Sequence, residues 1–337
     1  MNAASIGSVL ANELILLSNV FKICDMEAIV LGGHANQVSV DSVIVDGAVI
    51  CSIETDFSFR GRFGLPAEWC AIGCLHYTQN ASGCDGALIS SGTAFTLFAQ
   101  GVSEFIFGAG SRVTFVLMPL RRLKQKFAQL VHPDVDIPAR LLGLFSLGGT
   151  LQGMRLGECS DKMHDYFIRD KRLATPDALI ANKIDALLEN HVLAGLSAQA
   201  EDRPQPSRGR RAHHQIVQRA ERYMLENMRR VIYLDELCSA ACVSERALRY
   251  AFDDLLDISP NRYLSMLRLC TAFRALSAAD ASRRSVKSVA LSCGLWDLSR
   301  FADHYRHAFG ELPRDTLMRT PPLDFALSRD ARELSFH

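Results

Sequence analysis

The stretch LDELCSAACVSERALRYAF, Leu234–Phe252, is followed by a second version of its own pattern in SVKSVALSCGLWDLSRFADHY, Ser285–Tyr305. Each reads as a short helix, a tight turn and a second helix, that is, a helix-turn-helix. In the first, Leu234, Leu237 and Ala241 share one helical face at i, i+3, i+7. Cys242-Val243 makes the turn, and Ser244 is suited to cap the next helix, since its hydroxyl can accept a first-turn N–H. Leu248 and Phe252, with Ala247 and Ala251, then face inward and leave Arg246, Arg249 and Tyr250 outside. In the second, Val286, Val289 and Ala290 form the inner face. Gly294 occupies a turn position that tolerates positive φ, and Asp297 caps a helix that buries Phe301, Tyr305 and Phe309. Leu298, Ser299, Arg300 and Asp303 stand near the start of that helix or on its outer side.

Between the copies, Ser259-Pro260 is a strong helix start, because proline at the first helical position has no N–H to satisfy. The helix runs to Leu276. About 17 residues at 1.5 Å each give a rod of roughly 26 Å. Modules packed on its two ends place their second helices about one turn of duplex DNA apart, roughly 34 Å. Two such helices on one chain imply a module that reads two successive major grooves.

The region resembles the C-terminal DNA-binding domain of AraC/XylS-type bacterial transcription regulators. The matching residues are Leu234, Leu237, Ser244, Leu248, Phe252, Pro260, Tyr263, Arg268, Leu269, Ala272, Val286, Val289, Ala290, Gly294, Phe301, Phe309, Gly310 and Pro313. Carried over by position, the base-reading sites of that family fall on Arg246, Arg249 and Tyr250, and on Leu298, Ser299, Arg300, Ala302 and Asp303. Four positions depart from the pattern. Asp303 stands where a basic residue is common; it cannot hold phosphate but can accept from a cytosine amino group. Leu295 replaces a phenylalanine, Thr316 an aromatic, and Tyr233 a Ser/Thr cap. Asp235 and Glu236 can compensate at Tyr233, since acids near a helix N-terminus offset its dipole.

Working outward, Ser197–His214 is polar, with two prolines and a glycine, as a solvated tether between domains would be. A helix from Ile216 to Met228 opens the DNA-binding part. The expected division is 1–197, a sensing and dimerisation domain that is β-rich to about 118 and then helical; 198–214, a linker; 215–320, the AraC-type domain; and 321–337, a tail. The fold class is α+β in two domains, a β-rich unit with helices followed by an all-α double helix-turn-helix. The architecture resembles the same family, which implies a cupin-like barrel at the N-terminus that binds a small-molecule effector. A looser similarity links Arg222–Asn227 and Gly294–Tyr305 to regulators of ethanolamine utilisation.

In the first half, residues 1–33 suggest helix or mixed structure. Strands are expected at Val38–Val45, Ala48–Thr55, Phe57–Phe63, Ala67–Tyr77, Ala94–Ala99, Glu104–Phe107 and Arg112–Met118. Asp46-Gly47, Ser82-Gly83, Asp85-Gly86 and Gly108–Gly110 are turn signals. Helices follow at Leu120–Val131, Ile137–Leu147, Gly157–Arg169 and from Asp177 to about Leu196. The last carries a stripe of Ile180, Ile184, Leu187, Leu188 and Val192, which either packs on the β domain or forms a dimer seam.

Charge follows the same division. The chain has 337 residues and no formal net charge, yet residues 1–200 hold 15 Lys/Arg against 19 Asp/Glu, and residues 208–320 hold 19 against 13. The basic half is the helix-turn-helix half, as phosphate binding requires. Ten dispersed cysteines do not make a disulfide scaffold, and neither a signal peptide nor a membrane-spanning run is evident. These features point to the cytoplasm.

The alternative is an enzyme or a metal or thiol sensor fused to the DNA reader. Cys70, Cys74 and His76 share a strand face, but Cys70 and Cys74 would lie roughly 13 Å apart, and His34 and His76 have no second histidine nearby. No metal, cofactor or catalytic residue is expected. Trp69, Phe57, Phe59 and Phe63 are effector-pocket candidates or ordinary core. The partners implied are double-stranded DNA, RNA polymerase, an unknown effector and a second copy of the chain; activation is the expected sign.

Overall fold

The computed structural model describes residues 9–10, 25–32, 37–99, 101–132, 136–169, 177–280 and 283–319. His34 and the 321–337 tail lie outside them, as does most of the 1–33 segment. Among the described residues, twelve strands form two antiparallel sheets. The first contains β1 (Val9–Leu10), β3 (Gln37–Val45), β4 (Ala48–Thr55), β6 (Trp69–Tyr77), β9 (Thr93–Phe98), β11 (Arg112–Pro119) and β12 (Leu144–Ser146), in the order β1-β3-β4-β11-β6-β9-β12. The second contains β2 (Asp25–Val30), β5 (Phe59–Gly64), β7 (Ser82–Cys84), β8 (Ala87–Ile89) and β10 (Val102–Phe107), in the order β2-β5-β10-β7-β8. Many short strands broken by glycines suggest a small antiparallel barrel or a double-sheet roll, and the two sheets are those of a roll.

Alternation fixes which way each strand faces. On β5 and β10, Phe59, Phe63, Phe105 and Phe107 point between the sheets, where Phe95 and Phe115 of the first sheet meet them. Asp46-Gly47 and Asp85-Gly86 are hairpin turns with positive φ, at 50° and 68° for the first pair and 46° and 82° for the second. Ser82-Gly83, expected as a turn, lies inside β7. The strand is only three residues long, and its glycine concealed it.

Four helices follow the sheets: α1 (Leu120–Leu130), α2 (Ala139–Leu142), α3 (Leu151–Arg169) and α4 (Asp177–Ser197). The expected helix over 137–147 is instead the single turn α2 followed by β12, which completes the edge of the first sheet. The stripe Ile180, Ile184, Leu187, Leu188 and Val192 is buried with Val116, Leu123, Phe127 and Phe145 against that sheet's outer face. It is core and not a dimer seam.

The second half is helical: α5 (Arg208–Glu226), α6 (Leu234–Ala241), α7 (Glu245–Leu256), α8 (Pro260–Ser277), α9 (Val286–Ser292), α10 (Leu298–Phe309) and α11 (Pro313–Met318). The helix expected from Ile216 begins eight residues earlier, capped by Ser207, whose hydroxyl accepts from the Arg210 N–H at 3.2 Å. The last seven residues of the supposed tether are therefore helical, and Arg210 is anchored rather than solvated. Leu237, Leu248, Phe252, Val289 and Phe301 are all buried, as their spacing requires.

Candidate nucleic-acid interface

Both turns have the geometry that the sequence implies. Cys242 ends α6 in the left-handed region at φ 57°, and Ser244 caps α7 by accepting from the Ala247 N–H at 3.3 Å. Gly294 has φ 73°, and a Cβ there would lie 2.1 Å from the Met228 carbonyl oxygen. Glycine is therefore required twice, for its dihedral and for its lack of bulk. Asp297 caps α10 through the Arg300 N–H at 3.1 Å.

The departures from the family pattern are absorbed locally. Glu236 accepts from the Tyr233 N–H at 2.8 Å and pairs with Arg230 at 2.7 Å, so its carboxylate secures the N-cap backbone where Tyr233 offers no side-chain cap. Arg230 and this backbone N–H together lower the Glu236 carboxyl to about 2. Thr316 is buried and bonds the Tyr305 hydroxyl at 2.8 Å. That bond seats the polar replacement for an aromatic.

Arg246, Arg249 and Tyr250 are exposed on α7, and Leu298, Ser299, Arg300 and Asp303 are exposed on α10. Ala302 is half-buried. Each set follows its turn and occupies the face opposite the buried stripe. The two arginines of α7 differ. Arg249 is held by Glu245 one turn before it, at 2.7 Å. Tyr250 stands edge-on to the His213 ring, with centroids 5.2 Å apart, and His213 in turn bonds Asp254 at 2.7 Å. The sequence reading misses His213; for Arg210, as for Arg208 and Arg211, it weighs phosphate contact against the more ordinary place in a solvated tether. Arg210 ties Asp254 of α7 to the Gly86 carbonyl in the β7–β8 turn, at 3.2 Å to each.

Between the sheets lies an apolar cavity of about 20 Å³, room for scarcely more than one water. Its walls include Phe59, Phe63, Phe95, Phe105 and Phe115, with no polar lining. Of the pocket candidates, Phe59 and Phe63 line it; Phe57 packs beside Phe59, and Trp69 lies at the edge of the core.

The thiols have the character of core residues. Burial pushes Cys70 and Cys74 up to about 12, which leaves them protonated and unreactive at neutral pH. Among the described residues no three His, Cys, Asp or Glu side chains gather to hold a metal. Ser52, His164 and Glu54 do line up, with 2.5 Å from Ser52 to Nδ1 and 2.9 Å from Nε2 to Glu54. Ser52 is buried and Thr114 shares the same nitrogen at 3.2 Å, so the array pins α3 to the first sheet. His76 lies beside it and bonds Asp161 at 2.7 Å.

Residues 237–319 match the model of a helix-turn-helix domain. The XylDLEGF operon transcriptional activator of Pseudomonas putida is 37% identical over 111 residues, 33% of either chain. The HTH-type transcriptional regulator GbdR of Pseudomonas aeruginosa is 35% identical over 122 residues, 33% of this chain and 32% of the other. A probable AraC family transcriptional regulator from Rhodopseudomonas palustris, of solved structure, is 34% identical, with a TM-score of 0.29, over 32% of this chain and 98% of that one. The C-terminal part is thus a double helix-turn-helix domain, similar over that part to AraC/XylS-type regulators. The match spans about a third of the length of these curated relatives.

Proposed function

We propose that the protein is a sequence-specific DNA-binding regulator of transcription, activating in sign. The observation that carries this reading is the paired arrangement of α7 and α10. Each has a buried apolar stripe, a correctly built turn before it and an exposed reading face, and the eighteen-residue helix α8 joins the two units. Arg246 and Arg300 are best placed for guanine edges in two successive major grooves, because arginine pairs O6 and N7 together. Arg249 and Tyr250 flank the first reading site. Leu298, Ser299 and Asp303 complete the second, with Asp303 suited to a cytosine amino group.

The two-sheet roll is read as a cupin-like sensor, with an effector entering between the sheets. A wall of phenylalanine, leucine and valine without a polar group suits a small uncharged apolar molecule, and its entry requires the rings to move apart. RNA polymerase and a second copy of the chain complete the proposed partners. No described helix is long and apolar enough to cross a membrane, and a cytoplasmic site of action belongs to this reading.

The test of DNA binding is fluorescence anisotropy on labelled promoter duplexes across a salt series. Binding that falls steeply with salt and is stronger on one sequence supports the reading. Equal, weak binding to every duplex would sink it. Thermal shift with a panel of small neutral aromatics tests the effector, since a ligand of the folded state raises the midpoint.

A further inference from the structure

The middle of the outer face of the second sheet, around Arg60 and Glu104, is out of water; it carries charge into the joint between the two halves of the chain. Along β5, Phe59 and Phe63 line the cavity, while Arg60 and Arg62 point the other way. Arg60 is fully buried. It donates to Glu104 on β10, to Glu221 on α5 at 2.6 Å and to the Tyr263 hydroxyl on α8; that hydroxyl donates to Glu221. His214 of α5 reaches Glu104 at 3.3 Å. Arg62 stands 3.6 Å from Glu221 and 3.7 Å from Glu27 on β2, and Glu27 takes Arg274 of α8 at 3.0 Å. Two residues of the DNA-reading half, Glu221 and Tyr263, thus complete a site that the sensor half leaves open.

An apolar contact of the same size would hold the halves together at least as well, because buried ion pairs give little net stability. What the ionic set adds is a fixed geometry that fails when one partner moves. Phe59 and Phe105 of the cavity wall are chain neighbours of Arg60 and Glu104. One strand residue separates the space for an apolar ligand from the clamp on the DNA-binding helices.

We propose that the Arg60–Glu104–Glu221–Tyr263 cluster is an interdomain latch, and that the second sheet transmits displacement of the cavity wall through it to α5, α8 and, by way of Arg210, the reading helix α7. The latch stands on its own geometry; the transmission rests on the effector reading above.

Hydrogen exchange of the full chain, followed by mass spectrometry, tests both parts without DNA. In Arg60→Met and in the milder Tyr263→Phe, exchange rises several-fold in β5, β10, α5 and α8 together, while β4, β6 and β11 keep wild-type protection and so report an intact roll. A rise confined to the element that carries the substitution overturns the latch. Ala71→Leu overfills the cavity from the opposite sheet. It raises exchange in α5 and α8 of the otherwise native chain and adds nothing in the Tyr263→Phe background. If it disturbs only strands, transmission is overturned and the latch remains. Failure of the DNA-binding reading would show separately, as absence of sequence-specific binding by a chain whose latch is intact.

Discussion

Arg60 of β5 and Glu221 of α5 are 161 positions apart in the chain and meet at 2.6 Å with both side chains out of water. Burial works against the Arg60 charge, but Tyr263, Glu221 and Glu104 outweigh it and hold the guanidinium protonated. Burial likewise pushes Glu104 up, yet Arg60 and His214 more than offset that and lower it to about 2. Removing the arginine would leave two buried carboxylates without their closest cation, with only Arg62 at 3.6 Å from Glu221 and His214 at 3.3 Å from Glu104. Arg60→Ala is expected to cost about 3–5 kcal/mol in urea unfolding. A loss below about 1 kcal/mol, the range of a surface pair, would mean that the joint is open to water.

Acid should act elsewhere. Burial lowers His191 to about 3; it lowers His76 to about 4, although the bond to Asp161 resists. For a histidine with a depressed folded value, the unfolded chain takes the proton first. Stability is therefore full above about pH 6.5 and falls as pH drops toward those folded values. Each histidine contributes a slope of about 1.4 kcal/mol per pH unit inside its window. Urea midpoints of wild type and His191→Gln between pH 7 and pH 4 check this. The variant should show the shallower decline, and parallel curves would refute the assignment.

Gly294→Ala faces both a φ of 73° and the Met228 carbonyl oxygen 2.1 Å from the new Cβ. Backbone strain alone costs about 1–3 kcal/mol, and the second module must shift to relieve the clash. Calorimetry should show a lowered midpoint, and sequence-specific binding should weaken at the α10 half-site while the α7 half-site is retained. An unchanged midpoint would count against the turn geometry.

Cysteine reactivity separates a regulator with buried core thiols from a thiol sensor. Cys242 is exposed, whereas Cys51, Cys70, Cys74, Cys84, Cys270 and Cys293 are buried. Among the described residues, iodoacetamide at neutral pH should modify Cys242 first and reach the buried six only on unfolding. Rapid modification of Cys70 or Cys74 in the native chain would revive the sensor alternative.

The DNA-reading half was legible because it repeats. Leu237 and Val289, Ser244 and Asp297, Cys242 and Gly294 occupy related turns and faces, and each copy checks the other. Strands Ala48–Thr55 and Arg112–Pro119 could be read from apolar, β-branched runs that follow the glycine turns at Gly47 and Gly110; nearly every residue in them is buried, so no alternation was needed. β7 was missed because a three-residue strand with a central glycine has no pattern to detect. The helix expected near Leu144 failed for another reason: a short apolar run reads alike as helix or strand, and only pairing with β9 decides. The latch was invisible because nothing local sets Arg60 apart from a solvated arginine. Its partners lie on another strand and two helices, and only the packing of the sheet on α5 and α8 brings them together.

The proposed function turns on α7 and α10 reading bases. Selection of genomic fragments by the purified full-length protein, repeated with Arg246→Ala and Arg300→Ala, tests it most directly. A paired motif with half-sites about one helical turn apart is expected. Each variant should lose about 1–3 kcal/mol and relax preference at one half-site only. Enrichment of no common motif by the native chain, or variants that weaken binding equally on every sequence, would contradict it.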